Sequence, residues 1–239
     1  MEEFLSSWYG ILTLVLFDVV AIFAIVCITY RWLFKRIFDF LFSLICTVLL
    51  SPLFIYILVR ANGAKKRGEI AGVTRWTAYA KKNGKTVKLS AFESRNEAGE
   101  LAGSYGEWLE KTKLFALAGL LDVLVGKRSF IGLKAFTRGE TAFLDEVQAD
   151  RLIAKTGLIN PLVVCGDADT DYAEMLESDQ KYAWNFSFFG DCKIFFTWLL
   201  GKIRGESNEY LGKTRERSFL DYLLERGKIT QAEYAAAKE

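Results

Sequence analysis

The feature that most constrains this 239-residue chain is an apolar run at residues 37–59 that is positively charged at both ends. Lys35 and Arg36 stand directly before the run, and Arg60 stands directly after it. A run of this length is long enough to cross a bilayer. A crossing would place one basic cluster outside, against the positive-inside rule. The charge pattern therefore favours a segment that enters the membrane and turns back.

Ser51 and Pro52, near the middle of the run, give this turn a physical cause. Proline lacks a backbone N–H and clashes with the preceding helical turn, and a serine hydroxyl can bond a carbonyl that the break leaves free. The sequence thus predicts a re-entrant helix-break-helix hairpin with its break at Ser51 and Pro52. An ordinary spanning helix, kinked at Pro52, is the alternative that stays open.

An earlier apolar run, residues 8–30, contains a single charged residue, Asp18. The run is long enough to span a membrane, and the acidic residues before it are unlike the basic start of a signal peptide. Because Arg31 and Lys35 follow it, we expect the N-terminus outside and the main domain in the cytoplasm. Asp18 is costly inside a bilayer. It is expected to dock on a neighbouring helix or partner protein, or else to lie shallow enough to reach water.

The rest of the chain is more polar, and its patterns predict mostly α-helix with one small β-hairpin. Asn83-Gly84 is the favoured pair for a tight turn between two strands. We expect residues 93–108 to form a loop and residues 141–155 to form a helix. The aromatic-rich residues 185–203 predict an amphipathic helix that lies on the membrane or packs on the domain.

Basic residues near the predicted hairpins are candidates for contact with anionic lipid headgroups. These candidates are Lys35, Arg36, Lys81, Lys82 and Lys85. A solvated β-hairpin is the alternative for the three later lysines. At the C-terminal end, residues 218–239 predict two short helices that either dock a partner or pack locally.

The predicted fold class is an α+β membrane protein in four parts. A transmembrane helix lies in residues 1–33, and the re-entrant hairpin lies in residues 34–62. A mostly α-helical cytoplasmic domain, with the small β-hairpin and interfacial amphipathic helices, occupies residues 63–204. A helical tail occupies residues 205–239.

Composition excludes several kinds of chemistry. The chain has no histidine, which removes Ser-His and Cys-His nucleophile pairs and histidine metal sites. The four cysteines show no CxxC spacing, and we expect reduced thiols that behave as small apolar residues. The net charge of +2 gives no reason to expect a nucleic acid partner.

Four stretches, in this order, carry a family resemblance: KRIFDF before the apolar run with its Ser-Pro, GKTVKLSAF, LLDVLVGKRSFIG and NFSFFGDCKIFFTWL. Together they resemble the bacterial sugar transferases, the monotopic polyprenyl-phosphate phosphoglycosyl transferases. The resemblance covers residues 35–202. It implies a re-entrant membrane helix and transfer of a sugar phosphate from a nucleotide sugar to polyprenyl phosphate, at the cytoplasmic membrane of a bacterium.

The chain departs from this family where the chemistry should lie. Active members carry an Asp-Glu pair that supplies the proposed nucleophile and helps to hold Mg²⁺. An ungapped match from Gly132 places Phe115 and Ala116 at these positions, and neither residue can attack phosphorus or bind Mg²⁺. The family's VGPRP motif reads IGLKA at residues 131–135, so its arginine and both prolines are missing.

Other acids offer little replacement. Asp122 takes the place of a family asparagine and has no acidic neighbour, and the Asp145-Glu146 pair lies in a different segment. A relocated active site at that pair is an alternative, but paired carboxylates on a helix are more often a solvated face.

We therefore expect a catalytically degenerate member, a pseudoenzyme without a catalytic residue or cofactor. It would act as a structural or accessory subunit of a membrane complex in exopolysaccharide or glycoconjugate synthesis. Membrane lipid and one or more proteins are its expected partners. The alternatives are an active phosphoglycosyl transferase that uses Mg²⁺, and a scaffold that binds lipid.

Overall fold

The computed structural model describes most of the chain. The described residues are 7–30, 34–80, 85–96, 98–167, 169–205, 214 and 218–238. The predicted headgroup contacts Lys81 and Lys82 and the predicted turn Asn83-Gly84 lie outside them.

Helix α1, Trp8–Thr29, has 22 residues. Ser7 begins it by accepting a hydrogen bond from the backbone N–H of Gly10 at 3.2 Å. The most apolar part of α1 is not buried against the rest of the described protein, so α1 is not a core helix. Among the described helices it is the one that by itself is long and apolar enough to cross a membrane.

A bent helix pair follows, made of α2, Lys35–Leu49, and α3, Ser51–Lys66. The two axes meet at an angle of 65°. The break lies at Leu50, one residue before the predicted position, and Ser51 and Pro52 form the first turn of α3. Proline is favoured in a first turn because the N–H that it lacks would have no partner there. The bend is typical of a re-entrant loop and of a broken span alike.

The remaining described residues form short helices and two small sheets. Strands β1, Thr74–Ala80, and β2, Thr86–Phe92, pair antiparallel, which confirms the predicted β-hairpin. Strands β3, Ser129–Ile131, and β4, Gly157–Ile159, pair in parallel. The α-helices are α4 Gly103–Thr112, α5 Gly119–Leu124, α6 Arg138–Thr141, α7 Glu146–Ala149, α8 Tyr172–Asn185, α9 Phe188–Ile203, α10 Phe219–Glu225 and α11 Gln231–Lys238. The 3₁₀ helices are Leu114–Ala118, Asp150–Ile153 and Pro161–Val164.

Two local expectations from the sequence are wrong. Residues 93–108 are not all loop, because α4 begins at Gly103. The glycines in α4 lower its helix propensity, and for this reason the sequence did not predict the helix. Gly106 is required by packing, since a Cβ there would lie 2.3 Å from the carbonyl oxygen of Ser94. Residues 141–155 do not form one helix, because Asp145 is extended and starts the short helix α7 as its N-cap.

The described core consists of three apolar clusters. The first joins α3 to β2 and α4 and includes Ile57, Phe92 and Leu109. The second joins the domain to the C-terminal helices, with Phe219 stacked on Phe136 at 5.0 Å between ring centroids. The third lies around β3, β4, α8 and α9. The described part of the tail thus packs locally on the domain.

Polar residues at the start of α2 attach the bent pair to the domain. Lys35 donates a hydrogen bond to Asp191 of α9 at 2.5 Å and to the hydroxyl of Tyr182 in α8 at 3.0 Å. The carboxylate of Asp191 also accepts from the hydroxyls of Tyr30 at 2.6 Å and Tyr182 at 2.7 Å. Since Lys35 and Asp191 are 14% and 7% exposed, the ion pair is largely buried.

Arg36 completes the C-terminal end of α5. Its guanidinium donates to the carbonyl oxygens of Val123 at 2.6 Å and Leu124 at 2.8 Å. The last carbonyls of a helix have no partner within the helix, so a cation at this end stabilises it. Gly126, with φ +77°, makes room, because a Cβ there would lie 2.7 Å from Arg36.

Asp39 binds the start of β3. Its carboxylate accepts from the hydroxyl of Ser129 at 2.6 Å and from the backbone N–H of Phe130 at 2.9 Å. We call Lys35, Arg36 and Asp39 the α2 clamp. The clamp ties α2, the first helix of the bent pair, to four separate elements of the domain: α5, β3, α8 and α9.

Replacing Asp39 by asparagine is expected to destabilise the protein. Asparagine keeps the shape but turns an NH₂ group toward one of two buried donors, which costs about 1–3 kcal/mol. Thermal unfolding of the purified protein in detergent measures the loss. The matched control is Asp18→Asn, which removes an exposed carboxylate from α1 and should leave the melting temperature unchanged. Equal melting temperatures for both variants would contradict the clamp.

Candidate functional site

The positions that the resemblance gives to the catalytic acid pair lie on the 3₁₀ helix Leu114–Ala118. Lys113, in the left-handed region with φ 59°, turns the chain from α4 into this helix. Phe115 is half-buried and packs against the apolar cluster that contains Ile57 of α3, whereas Ala116 is exposed. The site therefore presents an apolar ring and a methyl group where two carboxylates are expected.

The described part of the chain offers no other group of ligands that could replace the expected acid pair in holding a metal ion. No group of three or more His, Cys, Asp or Glu residues there is arranged to hold a metal ion. A Mg²⁺ site needs carboxylate or similar oxygen ligands. The residues around Phe115 and Ala116 do not fit one.

Asp122, at the family asparagine position, is a buried structural residue. Its carboxylate accepts from the backbone N–H of Ser90 in β2 at 2.6 Å and lies 3.7 Å from Nζ of Lys127. These contacts join α5 to the β-hairpin. The carboxylate is already bound on both sides and is not presented to a substrate.

The alternative acid pair, Asp145 and Glu146, is used at a helix start. The Asp145 carboxylate accepts from the backbone N–H of Gln148 at 2.6 Å, and the backbone N–H of Asp145 donates to the side-chain oxygen Oε1 of Gln148 at 3.3 Å. Glu146 is exposed. This is a capping box, so the carboxylate of Asp145 has a structural role at the start of α7.

A basic cleft lies on the domain, between the β-hairpin and the clamp. It consists of two adjoining cavities of about 200 Å³ each, which share Ile153, Ala154 and Lys155. The cationic residues that line it are Lys35, Arg36, Lys127, Lys134, Arg151 and Lys155. Arg151 forms a buried ion pair with Asp179. Asp39 lines the same cleft and Lys35 is paired with Asp191, so an anionic group such as a phosphate would meet a positive charge that is partly balanced.

Lys134, in the IGLKA stretch, contacts the C-terminal tail. Its Nζ donates to the carbonyl oxygen of Thr214 at 2.6 Å and to the hydroxyl of Tyr172 at 2.8 Å. Burial lowers the pKa of Lys134 to about 8. The lysine that takes the place of the family arginine thus holds a segment that lies beyond the resemblance.

The structure places the remaining predicted residues as follows. Lys35 and Arg36 bind protein groups in the clamp, Lys85 is exposed before β2, and Asp18 is exposed on α1. Contact of these residues with lipid or partners stays a prediction. The sequence analysis did not predict the clamp, although three charged residues within five positions, at the start of an apolar run, were its signal. No local pattern in the sequence indicated the ion pair between Arg151 and Asp179.

Comparison with known proteins agrees with the resemblance. Residues 30–204 match the model of the family described as bacterial sugar transferase. The exopolysaccharide production protein ExoY of Sinorhizobium fredii (strain NBRC 101917 / NGR234) is 25% identical, over 68% of this chain and 82% of that protein. The protein of the same name from Rhizobium meliloti (strain 1021) has the same identity and coverage. This chain belongs to the bacterial sugar transferase family.

Proposed function

We propose that this chain is a non-catalytic sugar transferase family member that serves as a structural or accessory subunit of a membrane complex. The observation that carries the proposal is Phe115, which packs in an apolar cluster at the position of the family nucleophile. Ala116 beside it removes the second acid. Transfer of a sugar phosphate through a covalent intermediate needs a nucleophile at this place, and this chain offers none there.

The pathway follows from the relatives. Both proteins named above are exopolysaccharide production proteins. Exopolysaccharide synthesis is therefore the process in which we place this chain. The complex would lie in the cytoplasmic membrane of a bacterium, with α1 as a span, its N-terminus outside, and the bent pair α2–α3 as a re-entrant hairpin.

An accessory role fits the contacts of the bent pair. The clamp bonds the start of α2 to the domain, so the domain is held at one angle to the bent pair. Position is what an accessory subunit contributes to a complex. Such a role needs neither Mg²⁺ nor a nucleotide sugar.

Purified protein is expected to show no turnover. With polyprenyl phosphate, Mg²⁺ and a broad panel of nucleotide sugars, it should release no nucleoside monophosphate, because Phe115 and Ala116 stand where the resemblance expects the two acids. A family member that carries the Asp-Glu pair is the positive control. Turnover would refute the proposal. If the double variant Asp145→Asn with Glu146→Gln then lost this turnover, the activity would be assigned to that pair.

The subunit role predicts an association that survives gentle extraction. Purified from native membranes in mild detergent, the chain should elute in a particle larger than one chain plus its detergent, with a second protein at fixed stoichiometry. Size-exclusion chromatography with light scattering measures the particle mass. A lone monomer would contradict the subunit role.

A second candidate function, binding of a lipid phosphate as a scaffold, is favoured by the basic cleft. Within the described residues, Nε of buried Arg151 and the hydroxyl of Thr156 have no hydrogen-bond partner, and both residues line the cleft. A phosphate oxygen is the kind of acceptor that satisfies such donors.

Lysine removal tests this second function. Lys127→Ala or Lys155→Ala is expected to weaken binding of a short-chain polyprenyl phosphate in nanodiscs about fivefold, since one lysine near a lipid phosphate contributes ~1 kcal/mol. Lys111→Ala, an exposed lysine of α4 outside the cleft, is the matched control. Identical affinities for all variants, or no binding at all, would exclude the scaffold function.

A further inference from the structure

Helix α1 contacts the rest of the described protein along one side. Phe23 packs against Phe188 and Phe189 of α9, with ring centroids 6.2 Å and 5.9 Å apart. Tyr30, directly after α1, bonds Asp191 on the same side. Asp18 precedes Phe23 by five residues, which at 3.6 residues per turn places it roughly 140° away around the helix axis. Asp18 therefore faces away from its own protein, and it is exposed.

The face around Asp18 has the spacing of a helix-pairing seam. Its members recur after four and three residues alternately: Ile11, Val15, Asp18, Ile22, Ile25 and Thr29. This is the spacing with which helices interlock side by side. Since α1 is apolar on every side, Asp18 is what distinguishes this face from the others. The four aliphatic members are 53%, 53%, 61% and 57% exposed, so no described part of the chain covers them. We call these six residues the Asp18 seam.

Depth decides what Asp18 requires. It lies ten residues from Trp8 and eleven from Thr29, or about 15 Å from either end of α1 at 1.5 Å per residue. If α1 spans the bilayer, this short side chain reaches neither surface, which argues against the shallow position. Ionisable residues at such a depth pair with one another or line a polar cavity. Asp18 has no ion-pair or hydrogen-bond partner among the described residues.

We propose that the Asp18 seam docks a membrane-spanning helix of a different protein, one that carries a lysine or arginine at mid-membrane depth. The proposal rests on the proposed function and deepens it, because it names the chemistry of the partner. A heptad-spaced face of branched side chains supplies the packing. A basic partner supplies the charge that Asp18 lacks.

A second copy of this chain fits the seam less well. In a parallel pair, the two Asp18 side chains would meet across the seam, and like charges at close range disfavour each other. A purely apolar partner helix would leave the carboxylate unpaired in lipid. Charge complementarity therefore selects a cation-bearing helix.

Site-specific cross-linking in native membranes tests the seam with the full chain. A photoreactive residue replaces Ile22, within the seam, or Val20, which is 58% exposed and lies roughly 160° from Asp18. Position 22 is expected to cross-link to a helix of another membrane protein with Lys or Arg near its centre. Position 20 is not. Adding Asp18→Asn should reduce the yield at position 22 at least about tenfold, as for loss of a paired charge.

A charge exchange completes the test. Asp18→Lys should abolish the cross-link, and replacing the partner's cation by aspartate should restore it. The proposal is overturned if position 22 captures only lipid or a second copy, if position 20 gives the same yield, or if Asp18→Asn has no effect. An unchanged melting temperature for the Asp18 variants shows that they fold.

The two proposals fail separately. Failure of the seam leaves the non-catalytic proposal standing, since that depends on Phe115 and Ala116. Turnover by the purified chain refutes the non-catalytic proposal, and the cross-linking result is unaffected by it.

Discussion

The structure depends on the buried ion pair between Lys35 and Asp191. Removing either partner would leave an uncompensated charge in a largely buried place, which costs more than the pair itself contributes. Two tyrosine hydroxyls bond the same carboxylate and hold it in position. Arg36 and Asp39, in the same turn of α2, bond two further elements of the domain. Together these contacts fix the direction in which α2 leaves the domain. The direction of the bent pair relative to the domain follows from this junction.

The apolar contact around Phe115 is a consequence of that fixed angle. Because α2 is clamped and the bend at Leu50 is short, α3 returns against β2 and α4, and the 3₁₀ helix Leu114–Ala118 packs beside it. A carboxylate at position 115 would stand next to an apolar cluster, where burial disfavours its charged form. Phenylalanine instead adds apolar area to the contact. The Phe115 ring thus contributes to the packing of α3 on the domain.

Local signals in the sequence predicted a good part of this fold. The break near Ser51 and Pro52 and the β-hairpin depend on neighbouring residues, and both are found. Helix α4 was missed because Gly106 lowers helix propensity, and its reason, a close approach to the backbone of Ser94, appears only once the chain has folded back on itself. At the site, the ungapped match found Phe115, but the partners of Lys35 and Arg36 lie about 90 to 160 residues away along the chain. No periodicity links residues so far apart.

Under the proposed non-catalytic role, the apolar residue Phe115 and the charged clamp serve different ends. An active site holds polar groups in places that cost stability, and replacing them with apolar residues usually stabilises a fold. The clamp also places ionisable groups in buried surroundings, yet all three of its residues have partners. If stability alone governed these three positions, apolar residues would serve as well. The directed hydrogen bonds of the clamp fix the start of α2, so a need for one defined orientation of that helix explains the charged residues better than stability does.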